Sequence, residues 1–177
     1  DSFQLVLQDF VNNGGSIIYL GNFGWGDSPV LHSGFFDGFN SFNSGNVCNI
    51  LDETHPITQD VLNPYSPNGI TPMIFFDTDL VRLVQQQGFD INPGDVVCYK
   101  EFGNGKVIYM GHDFGSGLAD DSGARMLSNA LKWIGSQTVL EWFNISSVAG
   151  TIGYPDSETL TVSLDATNLV GGTYTTQ

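Results

Sequence analysis

The sequence predicts an α/β domain over residues 1–136, followed by the opening strands of an all-β domain over residues 137–177. Three observations carry that prediction. Helix-like and strand-like apolar patterns alternate up to Ser136. Two of the apolar strands run straight into glycine-rich loops, and beyond Ser136 the apolar spacing changes to a period of two.

Phe3, Val6, Leu7, Phe10 and Val11 recur on one helical face, and Asn12-Asn13-Gly14-Gly15 stops that helix with glycine suited to a left-handed cap. Ser16 to Leu20 reads as a short buried strand leaving through Gly21-Asn22-Phe23-Gly24-Trp25-Gly26-Asp27. In open α/β sheets that strand end is where ligands sit. Residues 31–72, rich in Phe, Asn, Gly and Pro, show no period. Met73 to Phe76 predicts a strand. Asp79 then caps a predicted helix carrying Leu80, Val81, Leu83 and Val84 and closing at Gly88. Two further strands, Val96 to Tyr99 and Val107 to Met110, flank Phe102-Gly103-Asn104-Gly105-Lys106, a strong hairpin signal. After the loop Gly111-His112-Asp113-Phe114-Gly115-Ser116-Gly117, Asp120 and Asp121 cap a helix with Ala124, Leu127, Ala130, Leu131 and Ile134 on one face, ending at Gly135. In the tail, Leu160, Val162 and Leu164 alternate with polar residues between turn residues.

Composition narrows the function classes. The 177 residues include 19 acidic and 5 basic side chains, a formal net charge of -14. Arg82, Lys100, Lys106, Arg125 and Lys132 are scattered singly, so neither nucleic acid nor an anionic membrane finds the clustered cations it needs. No apolar stretch is long enough for a spanning helix, and no membrane insertion is expected. The first four residues lack the start of a signal peptide, so an export signal would lie upstream. Only 14% of residues are charged, against roughly 25% in an average domain, while 41% are hydrophobic. Surface polarity therefore rests on Asn, Gln, Ser, Thr and Gly, which points to an extracellular or cell-surface setting. Cys48 and Cys98 can either form one disulfide or remain two buried thiols. No structural zinc pattern is present, and no metal or other cofactor is expected.

Three segments, in order, resemble the class I glutamine amidotransferase-like superfamily, in particular its trehalose-utilisation (ThuA-like) branch. They are Leu7-Gln8-Asp9-Phe10-Val11-Asn12-Asn13-Gly14-Gly15-Ser16-Ile17-Ile18-Tyr19-Leu20-Gly21, then Thr54-His55-Pro56-Ile57-Thr58, then Gly105 to Phe114 leading to Asn129-Ala130-Leu131-Lys132-Trp133-Ile134. The resemblance implies a flavodoxin-like, mostly parallel sheet with flanking helices, whose first strand and helix would precede Asp1. Active members place a nucleophilic Cys on a strand-to-helix elbow and a His two residues before a Glu. Here the elbow falls near Gly21-Asn22-Phe23-Gly24, and Phe114 stands two residues after His112, so glutamine hydrolysis is not expected. The tail, from Trp142 to Ile152, Thr159 to Leu169 and Gly171 to Tyr174, resembles the first strands of a bacterial immunoglobulin-like sandwich. About seven strands complete such a sandwich, so the expected remainder lies outside this chain.

The binding candidates are Asn22, Trp25, His112 and Asp113, with no catalytic residue assigned. His112 is expected to hold its loop by hydrogen bonds. His55-Pro56 is expected to shape a turn. Phe23, Trp25, Phe35, Phe36 and Phe39 are either a sugar-stacking platform or core. Asn144-Ile145-Ser146 is a glycosylation sequon. The favoured reading is a non-catalytic extracellular scaffold or binding module of a larger modular protein. Its partners would be the rest of that polypeptide, neighbouring subunits or glycans. The alternatives are a hydrolase of carbohydrates or amides with a site around Asn22, His112 and Asp113, and a filament subunit completed by strand addition.

Overall fold

The computed structural model describes residues 2–21, 29–40, 47–87, 93–115, 120–136, 143–145, 159 and 161–164. Contacts divide the chain into two compact units, Asp1–Gly135 and Ser136–Gln177. In the second unit the described residues form an antiparallel pair, β8 (Phe143–Ile145) and β9 (Val162–Leu164). The rest of the immunoglobulin-like expectation lies outside the described residues.

The first unit is a seven-stranded sheet with helices packed on it. Helix α1 (Ser2–Asn12) ends at Gly14, whose φ of 98° is the left-handed conformation the sequence requires. Strand β1 (Ser16–Gly21) follows, then the short helix α2 (Pro29–His32), β2 (Gly38–Asn40) and β3 (Cys48–Ile50). A 3-10 turn at Pro56–Thr58 is capped by His55, whose Nδ1 accepts from the Ile57 amide at 3.2 Å, so His55-Pro56 does shape a turn. Strands β4 (Met73–Phe75), β5 (Val81–Gln86), β6 (Gly94–Phe102) and β7 (Gly105–Asp113) precede helix α3 (Asp121–Ser136).

The strand order is β1-β7-β6-β4-β2, with β5 pairing both β6 and β3. Among the described residues only β1 and β7 run parallel, and every other pairing is antiparallel. The expectation of a mostly parallel sheet is therefore corrected. Parallel neighbours need a long, usually helical crossover, and the region between β1 and β7 is spent largely on short strands.

The clearest departure is β5. The helix expected after Asp79 is a strand, and Asp79 caps nothing. Its ladder to β6 shifts register between Arg82 and Val84 and again between Val84 and Gln85, so Leu83 and Val84 are both buried. Such irregularity breaks the two-residue period and leaves a pattern that reads equally as one face of a helix.

The expected hairpin is β6–β7, with Phe102 opposite Gly105 and the two-residue turn Gly103-Asn104 between them. Gly103 has φ 60°, which fits a II′-type turn with glycine at its first central position. One cluster buries Val11 of α1 with Val107, Tyr109, Cys98, Phe36 and Phe75. The alternate residues of β7, Ile108 and Met110, pack in a second cluster with Val97, Leu83, Met126 and Ala130. Helix α3 thus buries Gly123, Met126 and Ala130, and leaves Ala124 and Leu131, two of the expected core residues, exposed.

Candidate functional site

The parallel pair β1–β7 brings Gly21 and the segment Gly111 to Asp113 together at one end of the sheet. A Cβ on Gly21 would lie 2.7 Å from the carbonyl carbon of Gly111, so the two backbones meet there only because residue 21 has no side chain. Asn22 and Trp25 lie outside the described residues. His112 and Asp113, the last two residues of β7, are fully buried.

Three elements seal His112. Residues 69–71 lie along the end of β7: Thr71 donates its amide to Gly111, Asp113 donates to Gly69, and Ile70 bridges His112. The Tyr109 hydroxyl donates to the Thr71 carbonyl. The first turn of α3 closes the far side, where a Cβ on Gly123 would stand 2.8 Å from the imidazole. Asp120 caps that turn by accepting from the Gly123 amide at 2.9 Å. Tyr65 covers the ring, with its hydroxyl 2.9 Å from Nε2, while Nδ1 is buried without a hydrogen-bond partner. Burial pulls the His112 pKa down to about 4, against the opposing pull of the nearby Asp120 charge. The imidazole is neutral at pH 7.

Cys48 is tied to the same network, pairing its backbone with that of Tyr65 in both directions. Burial pushes its thiol up to about 12 and pushes the Tyr65 hydroxyl up as well. Cys98 lies within β6, and burial raises its pKa too. Both cysteines are free and buried, so of the two options the sequence left open the thiols are found and the disulfide is not. A reactive thiol needs a lowered pKa and access. Neither cysteine has either.

A second locus lies away from these candidates. Asp37, Phe76, Asp77, Thr78, Asp79 and Lys100 line an open notch of about 520 Å³. At its floor Lys100 Nζ stands 2.8 Å from Asp77 Oδ1 and 3.7 Å from Asp79 Oδ1, and 5.5 Å from the centre of the Phe36 ring. The other Asp77 oxygen accepts from the Asp37 amide. Phe39 and Phe76 sit side by side with centroids 5.7 Å apart, 47% and 58% exposed. Phe35 and Phe36, by contrast, are core, so the expected aromatic platform divides. Sequence reading missed this notch because Lys100 looked like a solitary cation, and its partners lie 21 and 23 residues away. Among the described residues no cluster of His, Cys, Asp and Glu could hold a metal ion.

No protein-family model matches the chain, and no curated protein matches it in sequence. Solved structures do resemble it. They include a cytoplasmic protein from Salmonella typhimurium (TM-score 0.54, 12% identity, 73% of this chain and 59% of that one). A ThuA-like protein from Bacteroides uniformis gives a TM-score of 0.52 at 15% identity over 74% of this chain and 62% of that one. A second cytoplasmic protein, from Salmonella typhimurium LT2, gives 0.53 at 15% identity over 76% and 58%. At such identities the likeness shows the fold: a mixed α/β unit consistent with a ThuA-like, flavodoxin-like architecture. The chain spans about three-fifths of the length of these structures.

Proposed function

We propose that the chain is a non-catalytic scaffold or binding module of a larger extracellular protein, built on an amidotransferase-like domain without the glutamine-hydrolysing site. One observation carries this reading. The strand end where chemistry would be sought is occupied by a buried, neutral His112 held by Tyr65, with a Cys48 thiol whose pKa is raised. A general base must reach its substrate's proton, and His112 is walled in by Tyr65, residues 69–71 and the first turn of α3. The extracellular assignment rests on the acidic, lysine-poor composition and on the resemblance of the tail to an immunoglobulin-like repeat.

As a binding module, the domain offers the notch beside Phe39 and Phe76. Exposed rings can stack on the apolar face of a sugar while Asp79 and Thr78 meet its hydroxyls, which makes neutral glycans the favoured small partner. The test has three arms. A glutamine-analogue electrophile should leave Cys48 and Cys98 unmodified in the native chain, and stoichiometric labelling with measurable turnover would overturn the non-catalytic reading. Titration with neutral oligosaccharides should give binding that is lost in F76A. Binding that persists in F76A would remove the notch from the proposal. Protease treatment of intact source cells reports the location.

A further inference from the structure

We propose that Asn68-Gly69 is a self-modifying site, where the backbone amide of Gly69 attacks the Asn68 side chain and converts it, through a cyclic imide, to aspartate and isoaspartate. The chemistry is local and needs no partner, cofactor or further segment of chain. The Gly69 nitrogen forms a bond to Asn68 Cγ. Its amide proton passes through solvent to the side-chain nitrogen, which leaves as ammonia. Water then opens the ring. Attack at the side-chain carbonyl gives aspartate, and attack at the main-chain carbonyl gives isoaspartate, in which the backbone runs through Cβ. Asparagine is thermally labile, most of all before glycine, which has no Cβ to crowd the attacking nitrogen.

The chain has three Asn-Gly pairs, at 13-14, 68-69 and 104-105, and the fold holds two of them still. Asn13 donates its side-chain amide to the Asp9 carbonyl at 2.8 Å, and the Gly14 amide donates to Val11 at 2.9 Å, so leaving group and nucleophile are both engaged. Asn104 donates its backbone amide to the Asn12 carbonyl at 3.1 Å. Gly105 stands opposite Phe102 in the β6–β7 ladder, where even a Cβ would run into the carbonyl oxygens of Val11 and Gly15. Ring closure there would have to break the turn. Asn68 is different. It is exposed, it lies in a bend, and among the described residues no hydrogen bond engages its side chain or the Gly69 amide. Gly69 contributes only its carbonyl, which accepts from Asp113 at 3.0 Å.

The position gives the reaction a structural consequence. Backbone bridges fix Tyr65 to Cys48 on one side of Asn68, and Ile70 to His112 on the other. Isoaspartate inserts a methylene into the main chain between these two fixed points. The lengthened segment no longer spans them in register, so the modification loosens the cover that Tyr65 and residues 69–71 place over His112.

Incubating the 177-residue chain in mildly alkaline buffer, followed by digestion with an endoproteinase that cuts before aspartate, tests this. The three pairs fall in separate peptides, 9–26, 60–76 and 95–112, and fragmentation mass spectrometry locates the change within each. Asn68 should convert at least about tenfold faster than Asn13 or Asn104 in the native chain. In concentrated urea the three rates should converge, because the fold makes the selection. N68Q should remove the reactive site, and the aged parent chain should melt below both the fresh chain and aged N68Q. Equal rates at the three pairs in the native chain overturn the proposal. So does a native chain that keeps Asn68 intact while the same residue converts in urea. A fully converted chain that melts like the fresh one overturns the link to the cover over His112.

Discussion

The hydroxyl of Tyr65 stands 2.9 Å from Nε2 of His112, and the two rings stack at 5.9 Å and 18°. The contact joins residues 47 positions apart and ties the segment between β3 and β4 to the end of β7. With Nδ1 lacking a partner, this is the imidazole's one hydrogen bond among the described residues. Y65F should therefore lower stability by about 1–3 kcal/mol, the cost of leaving a buried polar group unsatisfied. Urea denaturation checks it, and an unchanged midpoint would show that the contact contributes nothing.

Acid sensitivity follows from the same residue. The unfolded chain takes up a proton on His112 near the ordinary value of 6.5, whereas the folded chain resists until about pH 4. The unfolded state thus binds more protons between those limits, so this contribution is complete above pH 6.5 and lost as the pH falls toward 4. The separation corresponds to about 3 kcal/mol. Burial lowers the His55 pKa as well and adds to the slope in the same direction. Melting measured from pH 7 to pH 4 should show a steep decline in the parent chain and a shallower one in H112Q.

Gly21 is a position where the backbone demands glycine for proximity rather than for φ. Gly21→Ala would drive a Cβ against the Gly111 carbonyl carbon, 2.7 Å away, and would part the end of the parallel pair. The expected loss is about 1–3 kcal/mol, as for other overpacked positions. Denaturant unfolding reads it directly, and a neutral result would show that the two strands separate there freely.

How much of this was legible in the sequence varied by element, for physical reasons. The apolar run of β7, the Gly103-Asn104 turn and the Asn-Gly-Gly stop of α1 are local signals, and each lies where the pattern indicates. Strand β5 was not legible, because its register shifts bury Leu83 and Val84 together. Strand direction was also hidden, since pairing depends on how the long insertion folds back and not on any one segment. At the candidate site the sequence marked His112 and Asp113. It gave no sign of Tyr65, whose role comes from an isolated backbone bridge to Cys48. The notch at Lys100 is assembled from three separate segments and carries no motif.

The Lys100–Asp77 pair supports the last prediction. Its side chains are 10% and 13% exposed, so the pair is desolvated in a way the chain's other carboxylates at this notch are not: Asp79 is 66% exposed. Breaking such a pair from one side leaves an uncompensated charge, which costs more than the intact pair contributes. K100M should thus cost about 3 kcal/mol, because among the described residues the Asp77 carboxylate then keeps only the Asp37 amide as a strong partner. Adding D77N to K100M removes the buried charge while the amide oxygen can still accept from Asp37, so the double variant should recover about half of the loss. The double-mutant cycle, measured by urea denaturation, reads a coupling of about 1–3 kcal/mol for residues in direct contact. If the two losses simply add, the lysine and the carboxylate are held independently, and the notch floor is not the preformed ion pair that the geometry describes.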